Sequence, residues 1–78
     1  MELVLYGREE CHLCEVARDL LVHCGLAEQF VEADIEEDVN LLRVYCLRIP
    51  VLKDARSGSE LDWPFDESQL IAFIHAAN

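Results

Sequence analysis

Two cysteines, Cys11 and Cys14, stand two residues apart in the stretch LYGREECHLCEVARDLL, between a short apolar run and a helical pattern. A pair with this spacing can bind a metal, crosslink the fold or carry out thiol–disulfide exchange. A structural zinc site needs about four ligands, usually from two such pairs, and the other cysteines and histidines form no second close pair. The spacing therefore favours redox chemistry, with a metal half-site and two incidental cysteines as the alternatives.

The predicted position of Cys11, at the first turn of a helix, suits a reactive thiol. Unpaired backbone N–H groups and the positive end of the helix dipole stabilise a thiolate there. Cys14 follows on the same side of the helix, so the two sulfurs can meet with little backbone movement. We therefore predict that Cys11 is the nucleophile that attacks a substrate disulfide and that Cys14 resolves the mixed disulfide.

Charged side chains surround the pair and act in opposite directions. A protonated His12 would favour a thiolate at Cys11, or it is simply a solvated residue at the start of the helix. Three nearby carboxylates oppose a second negative charge, although exposed charges of this kind are partly screened. These carboxylates belong to Glu9, Glu10 and Glu15.

Apolar periodicity predicts the elements that position the cysteines. Residues 3–5 are a continuous apolar run, which is typical of a buried strand. From residue 13 onward the apolar residues recur at three-to-four spacing, and a glycine follows at position 25. This pattern predicts a first helix that begins at Cys11 or His12 and ends at Cys24.

The middle of the chain predicts one more strand and a short helix. Residues 30–35 alternate as a half-buried strand does, with Val31, Ala33 and Ile35 on one face. Residues 39–46 read as a second helix that presents Leu41, Leu42 and Tyr45 inward and ends before Pro50.

The last part of the chain predicts an antiparallel hairpin and a final helix. Residues 51–52 and 60–63 are strand-like and flank a turn. Asp66 as N-cap with Gln69 resembles a capping box, and Phe65 can pack on Leu70 as a hydrophobic staple. The resulting order, β-α-β-α-β-β-α, predicts an α/β fold: one domain spanning residues 1–78, with a four-stranded mixed sheet flanked by three helices.

Charge and hydropathy limit the partners. The net charge is −10, with 16 acidic and 6 basic residues, so we expect no binding to nucleic acid or to an anionic membrane. No apolar run approaches membrane-spanning length, and Met1 is not followed by an export signal. We therefore expect a cytoplasmic protein, in which structural disulfides are improbable. Cys24 and Cys46 then read as small buried apolar residues, with a second redox pair as the alternative.

Three segments carry a resemblance to a known family: LYGREECHLCEVARDLL, LRIPVL, and ELDWPF before the last helix. Together they resemble the small bacterial glutaredoxin-like proteins of the thioredoxin superfamily over essentially the whole chain. The resemblance implies a thioredoxin/glutaredoxin-like fold and a monomeric thiol–disulfide oxidoreductase without a tightly bound cofactor. It also implies a cis Ile49–Pro50 bond beside Cys11, where the Ile49 backbone pairs with an extended substrate segment.

Glutathione is the co-substrate that this family resemblance suggests, but the match is partial. Arg8 occupies the position of the family's basic residue before the first cysteine. Arg48 replaces the threonine before the proline, and residues 62–66 replace the family's glycine turn. The predicted substrate-binding residues are Arg8, His12, Leu13, Ile49 and Pro50.

Arg8 and Arg48 would form a small positive patch that holds a glutathione carboxylate, or each would pair with a nearby glutamate. Two other classes of function stay open. One is a non-catalytic binding module that docks a protein on the apolar surface around Leu13, Ile49 and Pro50. The other is metal or iron–sulfur binding through Cys11, across a dimer for example.

Overall fold

A computed structural model describes residues 1–77 of the chain. It confirms the predicted α/β fold, with a four-stranded mixed sheet and three helices. The elements are β1 (Leu3–Gly7), α1 (His12–His23), β2 (Phe30–Asp34), α2 (Val39–Tyr45), β3 (Val51–Asp54), β4 (Glu60–Asp62) and α3 (Glu67–Ala77), with a 3₁₀ turn (Ile35–Glu37) between β2 and α2.

The strand order β2-β1-β3-β4 determines which residues meet at the end of the sheet where the cysteines lie. β1 and β2 run parallel, whereas β3 is antiparallel to β1 with Tyr6 opposite Val51. The segment that follows β1, which carries Cys11, therefore emerges at the same end of the sheet as the segment that precedes β3, which carries Pro50. We call this the thiol end of the sheet.

Two hydrophobic clusters hold the layers together, one on each face of the sheet. Because side chains alternate along a strand, Leu3 and Leu5 of β1 join the first cluster and Tyr6 packs against the second. The first cluster unites the sheet with α1 and α3 through Leu3, Leu5, Ala17, Leu21, Leu52, Phe65 and Leu70. The second lies beneath α2 and consists of Ile35, Tyr45 and Val51.

The predicted caps of α1 and the predicted start of α3 are confirmed. α1 is bounded by Cys11 and Cys24 as caps, and Gly25 follows with φ of 82°, a left-handed conformation that suits glycine. At α3, the N–H of Gln69 donates to the Asp66 carboxylate at 2.8 Å, and the N–H of Asp66 donates to the Gln69 side chain at 2.9 Å. This reciprocal pair is the predicted capping box.

Three details in the middle of the chain differ from the sequence prediction. Val31 is 63% exposed instead of facing inward, because β2 is an edge strand and the seven-residue α2 packs over the 3₁₀ turn instead. Leu42 also lies on the exposed side of α2. Cys46 is exposed rather than buried, because Tyr45 is the residue that α2 turns towards the second cluster.

Within residues 1–77, no helix is long and apolar enough to cross a membrane.

Candidate functional site

Cys11 and Cys14 form a disulfide at the N-terminus of α1. Their Cα atoms are 5.2 Å apart, within the range that disulfides require. Cys11 has extended backbone angles (φ −112°, ψ 101°) and caps the helix, because its Sγ accepts a hydrogen bond from the N–H of Cys14 at 3.2 Å. The first cysteine thus provides both the cap of α1 and the outer half of the disulfide.

The two sulfurs have different surroundings. Cys11 is half-buried, whereas only 9% of Cys14 is exposed. Cys14 packs against the backbone at the end of β1, where a Cβ on Gly7 would lie only 3.0 Å from its Sγ. Gly7 is therefore a site residue that the sequence prediction missed. A glycine between an apolar strand and a Cys-x-x-Cys pair was the signal that could have identified it.

A cavity of about 300 Å³ adjoins the disulfide on the side of β2. The loop before α1 and both cysteines form one wall, and the last residues of β2 form the other. Arg18 of α1 donates to Glu32 of β2 at 3.3 Å across this space. The disulfide is therefore reached from an open, charged cavity.

Of the predicted site residues, Arg8, Cys11 and Cys14 line this cavity together. His12 and Leu13 are exposed on the first turn of α1, outside the cavity lining. The His12 imidazole lies 3.9 Å from the Glu15 carboxylate. Ile49 and Pro50 also lie outside the lining, so the cavity and the proline turn are separate features of the thiol end.

Arg48 does not contribute to a positive patch. Its guanidinium donates to Glu60 and Asp62 of β4 at 2.7 Å each and lies 5.1 Å from the centre of the Tyr45 ring. Of the two alternatives for Arg48, a positive patch with Arg8 or an ion pair, the structure shows the ion pair, with Glu60 and Asp62 as its partners. Arg8 forms no salt bridge with any of residues 1–77.

Tyr45 completes this group at the start of β3. Its hydroxyl donates to the Glu60 carboxylate, and its ring stacks on Tyr6 with centroids 4.4 Å apart. Burial and the bond to Glu60 raise the pKa of Tyr45 to about 12. The Tyr45 hydroxyl and Arg48 in turn lower the pKa of Glu60. The segment that precedes Pro50 is thus tied to β4 by charge-assisted hydrogen bonds.

The Ile49–Pro50 peptide bond is cis. Pro50 is buried, and Ile49 packs against the second cluster. The N–H of Ile49 donates to the carbonyl of Tyr45 at 3.1 Å. The N–H of Ile49 is thus bonded within the chain, and the pairing of the Ile49 backbone with an extended substrate segment stays a prediction.

The two remaining cysteines are free thiols at helix ends, Cys24 at the C-cap of α1 and Cys46 at the C-cap of α2. Burial, reinforced by the nearby Glu67 carboxylate, raises the pKa of the Cys24 thiol. Within the described residues, there is no group of three or more His, Cys, Asp or Glu side chains that could hold a metal ion.

Comparison with known families agrees with this geometry. Residues 2–75 match the family model of the Glutaredoxin-like domain (DUF836). The chain belongs to this family.

Solved structures resemble this glutaredoxin-like chain along nearly its whole length. The crystal structure of Northeast Structural Genomics target protein XcR50 from X. campestris is 45% identical, with a TM-score of 0.86 over 97% of this chain and 99% of that one. The solution structure of the same protein gives the same identity and TM-score, and the match covers 100% of this chain and 97% of that one. Protein Ne2328 from Nitrosomonas europaea is 30% identical, with a TM-score of 0.73 over 92% and 88%. No match was found among curated proteins.

Proposed function

We propose that this glutaredoxin-like chain is a thiol–disulfide oxidoreductase in which Cys11 is the nucleophile and Cys14 the resolving cysteine. One observation carries the proposal: the two cysteines form a disulfide at a helix N-terminus, with Cys11 outermost and beside a cavity. A structural crosslink would not require an adjoining cavity. Membership of the glutaredoxin-like family supports the same chemistry.

The roles follow from the different surroundings of the two sulfurs. In the reduced protein, the N–H of Cys14 and the dipole of α1 stabilise a thiolate at Cys11. This thiolate attacks one sulfur of a substrate disulfide, and the other substrate sulfur leaves as a thiolate that takes up a proton. Cys14, held against Gly7, then attacks Cys11, releases the second substrate thiol and closes the disulfide.

Trapping the mixed disulfide tests these roles. In a Cys46→Ser background, which removes an exposed thiol, a Cys14→Ser variant should accumulate a mixed disulfide with a small disulfide at Cys11. A Cys11→Ser variant should not accumulate one at Cys14. Intact-mass measurement after alkylation distinguishes the two. An equal yield from both variants would contradict the assigned order of attack.

The electron donor is the second part of the proposal. Glutathione or a protein reductase would return the disulfide to the dithiol in the cytoplasm. Titration of the Cys11–Cys14 couple in glutathione buffers should give a midpoint potential within about −220 to −320 mV, the range of the cytosolic glutathione pool. A potential far below this range would leave the pair permanently oxidised and would exclude glutathione as the donor.

A non-catalytic binding module is the second candidate, and the exposed apolar Leu13 (47%) at the start of α1 is the observation that favours it. A Cys11→Ser variant with full cellular function would support this candidate against the first. Metal or iron–sulfur binding through Cys11 of two chains is tested by elemental analysis of protein purified without chelator.

A further inference from the structure

The cavity beside the disulfide carries an excess of negative charge. Arg18 and Glu32 face each other across it at 3.3 Å and neutralise one another. The other charged residues in its lining, among residues 1–77, carry one guanidinium and four carboxylates. They are Arg8, Glu9, Glu10, Glu15 and Asp34.

Among residues 1–77, Arg8 and Arg18 are the only Lys or Arg residues in the lining of this cavity. Arg48, the second guanidinium predicted for the site, is bound by two carboxylates of β4. His12 lies 3.9 Å from Glu15 and is largely exposed. The net charge of the whole chain, −10, has the same sign as the cavity. A disulfide that approaches Cys11 therefore meets a negative potential both at long range and at contact.

Charge of one sign in a cleft changes the local concentration of charged substrates, and rates of association change by about 10- to 1,000-fold as a result. The effect favours cations here and disfavours anions such as glutathione disulfide. The carboxylates around the cavity would therefore determine which substrates reach the Cys11–Cys14 disulfide.

Accordingly, we infer that the preferred substrates of the Cys11–Cys14 dithiol are disulfides with cationic groups next to their sulfurs. This inference rests on the proposed oxidoreductase function. The dithiol gives up two electrons, the S–S bond of the cationic disulfide breaks, and each of its sulfurs leaves as a thiol. Glu9, Glu10 and Glu15 act as specificity determinants, because they line the cavity on the same loop and helix turn as the reacting sulfurs.

A series of three disulfides of equal arm length tests this. Cystamine ends in ammonium groups, 2-hydroxyethyl disulfide in hydroxyls and 3,3′-dithiodipropionate in carboxylates. Protein that has been reduced and desalted is mixed with each, and the rate constant is divided by that of dithiothreitol with the same disulfide. This division removes the intrinsic reactivity of each disulfide. The normalised rate constant for cystamine should exceed that for dithiodipropionate by about tenfold or more at low ionic strength, and the ratio should fall in about 0.5 M salt.

Two triple variants separate the local carboxylates from the overall charge. Glu9→Gln/Glu10→Gln/Glu15→Gln removes three negative charges beside the disulfide and should reduce the preference for cystamine by several-fold. Glu2→Gln/Glu28→Gln/Glu67→Gln removes the same number elsewhere. Glu2 and Glu28 line a separate cavity at the opposite end of the sheet, and Glu67 is near Cys24 at the far end of α1. This control variant should keep most of the preference for cystamine over dithiodipropionate.

The outcomes are distinct. Normalised rate constants that are equal for the three disulfides would overturn the inference and leave the oxidoreductase proposal standing. An equal loss of preference in both triple variants would overturn it too, because the overall charge would then be the cause. Failure to reduce any of the three disulfides, the neutral one included, would overturn both proposals.

Discussion

Cys11 and Cys14 are close in sequence, but their neighbours give them different roles. Cys11 has extended backbone angles and caps α1 beside the cavity, whereas Cys14 is inside the helix and pressed against β1. The residue before them, Glu10, has φ of 57°, in the left-handed region that non-glycine residues rarely adopt. The chain thus turns sharply into α1 at the position where the reacting sulfur is presented.

At Gly7, we expect the smallest possible side chain to disturb the disulfide. In Gly7→Ala, the new methyl group would lie 3.0 Å from the Sγ of Cys14, so the sulfur must move and the stability should fall by about 1–3 kcal/mol. Closure of the Cys11–Cys14 disulfide should also slow, and mixed disulfide at Cys11 should accumulate during turnover. Quenched-flow alkylation measures this rate. Val4→Ala, in the same strand, should close the disulfide at the parent rate.

At Glu10, glycine should be tolerated better than at the preceding position. A left-handed conformation costs a residue with a side chain about 1–2 kcal/mol, whereas the added freedom of glycine in the unfolded chain costs about 0.5–1 kcal/mol. Glu10→Gly should therefore leave the free energy of unfolding unchanged or raise it by up to about 1.5 kcal/mol. Glu9 does not have a left-handed conformation, so Glu9→Gly relieves no strain and should lower the free energy of unfolding. Equal losses in urea titrations of the two variants would contradict this interpretation.

Among the elements, the β3–β4 hairpin depends on one buried carboxylate. Asp54, at the end of β3, accepts hydrogen bonds from the N–H of Glu2 at 3.0 Å, the N–H of Arg56 at 3.2 Å and the hydroxyl of Ser57 at 2.9 Å. The bond from Glu2 is the main cause of the lowered pKa of Asp54, and those from Ser57 and Arg56 act in the same direction. Asp54 thus joins the start of β1 to the hairpin turn.

The lowered pKa of Asp54 predicts a dependence of stability on acid. Because the carboxyl binds its proton less readily in the folded state, its contribution is complete above the unfolded pKa of about 3.9 and disappears as the pH falls through the lower folded pKa. Asp54→Asn should lower the free energy of unfolding at neutral pH and show a shallower loss below about pH 4. Denaturant titrations across pH, with the exposed Asp19→Asn as control, test this. If the free energy of unfolding falls with the same slope below about pH 4 in the parent protein, Asp54→Asn and Asp19→Asn, then Asp54 does not cause the acid dependence.

On the scale of the whole molecule, the first hydrophobic cluster fixes the position of α1 against β1. Leu21 of α1 is fully buried in the first cluster, whereas Leu47, just after α2, is 96% exposed. The position of the cysteines at the start of α1 therefore depends on packing about one helix length away from them.

The same substitution at these two leucines should have very different effects. Leu21→Ala removes a buried side chain and leaves a cavity, so it should lower the free energy of unfolding by about 2–5 kcal/mol. Leu47→Ala should change it by less than about 0.5 kcal/mol. Thermal or urea unfolding of both variants measures the difference. A loss at Leu47 as large as that at Leu21 would show that Leu47 is covered in solution.

The sequence alone was sufficient for features that depend on residues a few positions apart. The helix cap at Cys11, the capping box of Asp66 and Gln69, and the order of strands and helices were all predictable, because their hydrogen bonds and periodicities are local. Family membership also followed from short segments around the two cysteines and Pro50.

Tertiary structure decided the features that depend on strand pairing. Arg48 binds Glu60 and Asp62, which are distant in sequence, only because β4 lies beside β3. Val31 is exposed because β2 is at the edge of the sheet and α2 is short. The cavity of the thiol end lies between α1 and β2 for the same reason. Local patterns specify which elements form, whereas the choice of contacts between elements is made by the packing of the whole chain.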